Sequence, residues 1–326
     1  MIEENIKSEV VGVDISIEST TYAIVDVRGN IIAEDSFPTI DYPDVNNFIS
    51  TLSEKIVELV EANGGYEKIR SIGMSSPSAS SVSGCLENAA NLPWKGVIPI
   101  AAMLRDRLGL AVALSNDAHV SALGEYTFGS AHGMKNFIIL SLGVGLGSCF
   151  FSDGSDHVGH LGFAGEFGHT CVVENGRECG CGHRGCLESY VGAAGIVRTA
   201  QELMAESDAP SLMRNLTKLS PRTIFECCEQ GDMMAIEVFR RTGEILGLGL
   251  ANYASIIDPE AIILTGGISH AGKWLLDPLS ESFENHVFGN MKGKIKILVS
   301  KLNDRERDVL GASALAWSVP EYSLFK

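Results

Sequence analysis

Apolar positions along the first part of the chain follow two different periods. Over residues 10–14, 21–27 and 31–36 they run or alternate as strands require, and Arg28-Gly29-Asn30 between the last two has the composition of a tight turn. Over 44–61 the period changes: Val45, Phe48, Ile49, Leu52, Ile56 and Leu59 recur every three or four residues. That spacing predicts a helix with one apolar face, stopped by Asn63-Gly64-Gly65. A strand is predicted over 69–74, a helix over 101–108, a strand over 111–114 and a helix over 117–128 with Asn116 as its cap. The same grammar restarts near Asn136, with a strand over 137–142, the turn Gly143-Val144-Gly145-Leu146-Gly147 and a strand over 148–151. Both halves therefore open as strand, turn, strand, which points to a duplicated unit. Farther on the pattern turns helical. It is interrupted by a buried strand over 261–264 entering Thr265-Gly266-Gly267 and a late strand over 295–299, and closed by an amphipathic helix over 307–317. This alternation predicts an α/β protein with mixed sheets in two domains.

Composition narrows the class of partner. The 326 residues are enough for two domains and a sizeable core. A net charge of -16 and the lack of a Lys/Arg cluster argue against a nucleic-acid surface. No apolar run approaches the ~18 residues of a membrane span, and the start does not read as a signal peptide. The few residues before Val10 leave no room for a helix-turn-helix. Eight Cys in such a chain fit a reducing compartment, so a cytoplasmic location is expected, with no nucleic-acid or membrane partner.

The most specific chemistry lies in Glu166-Phe-Gly-His169 and Cys179-Gly-Cys181-Gly-His-Arg-Gly-Cys186-Leu-Glu188. His169, Cys179, Cys181 and Cys186 supply the N/S set of a tetrahedral zinc site, and the glycines let the loop turn tightly. The alternative is a disulfide or buried free thiols, but a Cys-x-Cys pair is a poor disulfide because neighbouring side chains point apart. Glu166 and Glu188 stand at the two ends of this loop, where rigidity aims them.

Asp117 follows a strand and opens a helix, at the carboxyl end of a sheet where open α/β folds bind ligands. It suits a general base that takes a proton from a hydroxyl, although a first-turn Asp that merely complements the helix dipole reads the same way. Gly143, Gly145 and Gly147, and separately Gly266 and Gly267, follow strands and suit close backbone approach to a nucleotide; tight turns use the same residues. Asp117, Glu166, His169 and Glu188 together form the mix of acceptors and one switchable donor that a polyhydroxylated ligand calls for.

With these motifs, and with Asn91-Leu-Pro-Trp94, Asn116-Asp117-Ala118, Leu123-Gly-Glu125 and Thr265-Gly-Gly267, the chain resembles the ROK family of repressors, reading frames and sugar kinases nearly end to end. It is most similar to the bacterial glucokinases of that family. The resemblance implies an actin-like, hexokinase-type (ribonuclease H-like) fold with a cleft between two domains. The expected division is 1–117, completed by a C-terminal helix over 304–326, and 118–303, which carries the zinc loop 169–186. It implies ATP-dependent phosphorylation of a hexose or N-acetylhexosamine, Asp117 as base, and Asn91, Asn116, Glu166, His169 and Glu188 on the sugar. Asp14 would sit near Mg²⁺, Gly143, Gly145, Gly147, Gly266 and Gly267 near ATP, and zinc would be structural. A homodimer is also implied.

Departures from the family concentrate where phosphate is handled. The family reads Asp-x-Gly-Gly-Thr where this chain reads Asp14-Ile15-Ser16-Ile17-Glu18, and Gly-Thr-Gly where it reads Gly143-Val144-Gly145. Side chains replace glycines, and Glu18 adds like charge to a phosphate site. Gly73-Met-Ser75-Ser76-Pro77-Ser78 replaces Gly-x-Gly-x-Pro-Gly near the sugar. Two functions therefore remain open: a glucokinase-like enzyme, or a catalytically impaired sugar-binding paralogue that acts as a sensor through a protein partner.

Overall fold

The computed structural model describes residues 7–89, 92–160 and 162–319. Strand β1 (Glu9–Ile15) pairs antiparallel with β2 (Ser19–Asp26), and both are almost wholly buried. β3 (Ile31–Pro38) extends the hairpin and is more exposed, as an edge strand should be. Helix α1 (Val45–Ala62) is capped by the Asp44 carboxylate, which accepts from the Asn47 N–H at 2.9 Å, and it buries Phe48, Ile49, Leu52, Ile56 and Val60. β4 (Ile69–Ser76) returns parallel to β1. Then come three short strands, β5 (Ala79–Ser80), β6 (Cys85–Glu87) and β7 (Val97–Ile98), which form a small sheet of their own. Helix α2 (Ile100–Leu108) leads to β8 (Ala111–Asn116) and α3 (Asp117–Thr127).

The pattern then repeats with β9 (Phe137–Leu142), β10 (Leu146–Ser152) and β11 (Ser155–Asp156). After a long irregular loop come α4 (Glu188–Val191), α5 (Ala193–Glu206), α6 (Pro221–Glu229) and α7 (Met233–Ile257). β12 (Ala261–Thr265), α8 (Lys273–His286), β13 (Lys296–Val299) and α9 (Asp304–Ser318) complete the chain. The two large sheets have orders β3-β2-β1-β4-β8 and β11-β10-β9-β12-β13, so the duplicated strand grammar corresponds to one topology used twice.

Two compact units result: the residues up to His132 together with those from Leu302 onward, and Gly133–Lys301. The first break thus follows α3, where the family resemblance implied a division at 117. The cause is packing. A Cβ on Gly311 of α9 would lie 2.1 Å from the Val120 carbonyl of α3, so the two helices cross at backbone distance and α3 stays with its own sheet. Helix α9 also lies directly on the sheet, since a Cβ at Gly73 of β4 would stand 1.9 Å from the Ala312 carbonyl. Among the described residues, no helix is long and apolar enough to cross a membrane.

Candidate active site and metal centre

In the second unit, the predicted metal ligands come together. The side-chain donor atoms of His169, Cys179, Cys181 and Cys186 all lie within 4.8 Å of one another. Cys179 Sγ is 3.6 Å from His169 Nδ1, and the Sγ atoms of Cys181 and Cys186 are 3.7 Å apart. A tetrahedron with bonds of ~2.3 Å has edges of ~3.7 Å, so this spacing suits one ion in the middle. It is far longer than the ~2.05 Å of a disulfide, and all eight thiols are free. The loop is shaped by backbone bonds, including Cys179 N–H to His183 O at 2.9 Å and Gly185 N–H to Arg177 O at 2.7 Å. Gly185 has φ +78°, and a Cβ there would meet the Val173 carbonyl at 1.8 Å, so no other residue fits. Burial first, then the crowding Cys181 and Cys179 sulfurs, push the Cys186 thiol up to about 12. A bound cation would offset that penalty, because thiolates are the ligating form.

The turn Phe167–His169 leads directly into this cluster. His169 Nε2, the nitrogen not facing Cys179, lies 4.0 Å from the Glu166 carboxylate. The turn is clamped from behind. Tyr253 of α7 stacks on Phe167 at 3.9 Å between centroids and 14° between planes, and its hydroxyl donates to Phe167 O at 2.6 Å. On the other side Phe150 stacks on Phe167, and His157 on Phe150. Burial pushes the Tyr253 hydroxyl up to about 12, so it remains a donor at ordinary pH. Glu188 opens α4, and its Oε2 accepts the Leu146 N–H at 2.9 Å, which ties the metal loop to the β9–β10 turn.

In the first unit, Asn116 caps α3 by accepting the Ala118 N–H at 3.0 Å, which commits its Oδ1 and leaves the amide nitrogen for other uses. Asp117 Oδ1 accepts the same N–H at 2.8 Å, and among the described residues no side chain hydrogen-bonds to its carboxylate. The carboxylate is open to solvent, while protein atoms crowd its wider surroundings. That desolvation raises its pKa against the pull of the Ala118 N–H and His119. Asp14, at the end of β1, is pushed up to about 8 by burial and then by the Asp308 and Asp117 carboxylates, against Ser75 and Arg307. Asn91 lies outside the described residues; nearby, Trp94 packs on Phe48 at 4.4 Å and donates to Tyr42 O at 2.9 Å.

The glycine turns are only partly available. Gly143 and Gly267 line one cavity of about 550 Å³ in the second unit, with Arg222, Phe225 and His270 also on its wall. Gly266 has φ +80°, and a Cβ there would stand 2.5 Å from Leu142 O, so it serves close packing. Gly147 lies inside β10, paired with Ser141, and only 143–145 form the turn. Val144 at its tip is 86% exposed. In the first loop, Ser16 Oγ donates to Ser19 O at 2.8 Å, and Ser16, Ile17 and Glu18 all avoid positive φ. The loop is a self-satisfied turn with Ile17 and Glu18 outward, and glycine is not needed to trace it.

Sequence motifs did not reveal Tyr253, Asp308, Arg222 or His270. Tyr253 and Asp308 bear on the site through distant chain segments, and Arg222 and His270 line the cavity beside Gly143 and Gly267.

The paired sheet topology and this site define an actin-like, hexokinase-type protein of the mixed α/β class. The chain belongs to the ROK family, whose profile matches residues 10–319. It is 31% identical to a glucokinase of Streptomyces coelicolor over 314 residues, covering 94% of this chain and 96% of that enzyme. A xylose repressor of Caldicellulosiruptor bescii is 29% identical, with 96% of this chain and 80% of the repressor covered. Among solved structures, a ROK glucokinase from Streptomyces griseus in complex with glucose and AMPPNP superposes with a TM-score of 0.75 at 29% identity, covering 95% of this chain and all of that one (100%).

Proposed function

We propose that this chain is an ATP-dependent hexose kinase, glucokinase-like, with Asp117 as general base. The observation that carries the reading is the Asp117 carboxylate at the head of α3, open to solvent, without a side-chain hydrogen bond among the described residues, and raised in pKa. A base of this kind accepts a sugar hydroxyl proton as phosphoryl transfer proceeds. Asn91, Asn116, Glu166, His169 and Glu188 are assigned to the remaining hydroxyls. The Glu166–His169 pair supports this, because one ring nitrogen faces the thiols and the other faces the carboxylate. Zinc is the ion assigned to His169, Cys179, Cys181 and Cys186; it supplies no chemistry to the transfer and fixes the loop. Asp14 is assigned to Mg²⁺, which neutralises phosphate charge when bound, and Gly143, Gly145, Gly147, Gly266 and Gly267 to the nucleotide. A homodimer in the cytoplasm is the assembly and location proposed.

The phosphate loops favour a second reading, a sugar-binding sensor. Outward Glu18 and Ile17, and Val144 in place of a hydroxyl donor, remove contacts that hold a transferring phosphoryl group. Calorimetry with ATP and Mg²⁺, with and without glucose, tests the proposal. A kinase binds ATP with a contribution from Mg²⁺. A protein that binds glucose and gives no heat with ATP contradicts the kinase reading.

A further inference from the structure

A second cavity, of about 450 Å³, is lined in part by residues of the metal loop other than the four ligands. Four arginines from three segments line it: Arg177 and Arg184 of the loop, Arg198 of α5 and Arg241 of α7. The lining thus holds four arginines and one carboxylate, Glu202, in a chain whose net charge is -16. Arg177 is buried and spent on structure, with bonds to Ser189 O, Gly195 O, Thr199 and Glu202 and its guanidinium over the Tyr190 ring at 4.7 Å. The other three are half-exposed and use only part of their donor set. Arg184 uses Nε and Nη1, and Arg198 and Arg241 each hydrogen-bond through Nε alone. Among the described residues, Nη2 of Arg184 and both Nη atoms of Arg198 and Arg241 make no hydrogen bond, although Nη2 of Arg241 faces Glu206 at 3.9 Å.

Carboxylates pair with all of them: Glu202 serves both Arg177 and Arg198, Glu237 serves both Arg240 and Arg241, Glu244 also pairs with Arg240, Glu178 pairs with Arg184, and Glu206 stands 3.9 Å from Arg241. Planar guanidinium forks with unspent N–H groups match phosphate oxygens, which such forks bind in pairs. The cavity is larger than a bare anion needs and falls in the range of small-molecule sites. Asn175, Thr199 and Thr242 add hydrogen-bonding groups suited to hydroxyls.

We propose that this cavity binds a phosphorylated sugar-sized molecule, a phosphate monoester held by Arg184, Arg198 and Arg241. The loop that contributes Arg177 and Arg184 also carries Cys179 and Cys181, so occupancy bears on the segment that aims His169. On the reading of the chain as a sugar kinase, on which this last step rests, the ligand has the chemistry of the reaction product and the cavity is a feedback site.

Calorimetry at low ionic strength tests the site directly on the intact protein, with glucose 6-phosphate, inorganic phosphate and glucose as separate titrants. Glucose 6-phosphate is expected to bind more tightly than inorganic phosphate, and to lose at least about tenfold in affinity in an R198Q/R241Q variant. Glucose binding and the thermal midpoint should not change, since both side chains are half-exposed. Glucose 6-phosphate affinity unchanged in the variant would place the binding elsewhere and overturn the proposal, as would silence of both anions at millimolar concentration. Equal affinity for inorganic phosphate would overturn the sugar-sized occupant. If the double variant fails to fold, R184Q, on the exposed loop, carries the same test. Because the readout is binding, failure of the kinase reading leaves this result interpretable.

Discussion

Replacing Tyr253 with Phe removes one oxygen from behind the Glu166–His169 turn and leaves the ring in place. The stack on Phe167, 3.9 Å between centroids, survives. The Phe167 carbonyl keeps a donor, because Thr170 Oγ1 also reaches it, at 2.8 Å. No buried acceptor is orphaned, so the loss is one net hydrogen bond, about 0.5–1.5 kcal/mol. Tyr253→Ala also removes a ring that is 4% exposed, and the cavity term raises the cost to about 3–5 kcal/mol. Urea denaturation and glucose titration on the same samples read both effects. Tyr253→Phe should lose about 1 kcal/mol of stability and bind glucose a few-fold more weakly, with metal content unchanged. Unchanged glucose affinity in a variant that has lost that stability would refute the claim that the hydroxyl positions the turn.

Four further outcomes follow from the same geometry. Purified protein should carry about one zinc per chain, and Cys181→Ser should lose both the metal and much of the glucose affinity; full affinity without metal would break the link between them. Glu18→Thr with Val144→Thr should raise turnover, by about tenfold or more if a phosphate donor is regained, and no gain in a folded, glucose-binding variant would clear those residues of blame. For Asp232, which caps α7, burial opposes ionisation, but donation from Ser211, Ala235, Leu212 and Met234 outweighs it and holds the pKa below the usual range. Its contribution is therefore complete above about pH 4 and fades as pH falls through the depressed value. The stability gap to Asp232→Asn should shrink across that window in acid denaturation, and a constant gap would contradict the assignment. Ser78 sits at φ 57°, a conformation costing about 1–2 kcal/mol that Asn tolerates better, so Ser78→Asn should raise the urea midpoint; a lower one would argue against strain there.

Local signals were legible in the sequence and long-range ones were not. The apolar stripe of α1, the Asn116 cap and the Cys-x-Cys spacing lie within a few residues of one another, and each appears in the fold where its pattern placed it. The sheet of β5, β6 and β7 escaped notice because strands of two or three residues have no measurable period. Asp308 bears on Asp14 only because α9 returns to the first sheet, and no local pattern carries that return. Tyr253 reads as one more apolar position of a long helix until its hydroxyl is seen against the Phe167 carbonyl. The surroundings of the glycine turns were equally hidden: the sequence showed neither the pairing of Gly147 with Ser141 nor the close approach of Gly266 to Leu142.

The central claim is that the Asp117 carboxylate activates a sugar hydroxyl toward ATP. Its most direct test is phosphate transfer from ATP across a panel of hexoses and N-acetylhexosamines, comparing the natural protein with Asp117→Asn. Turnover on at least one sugar that vanishes in the variant, while sugar binding persists, is the predicted result. No turnover on any sugar, with sugar binding intact in both proteins, would contradict it and leave the sensor.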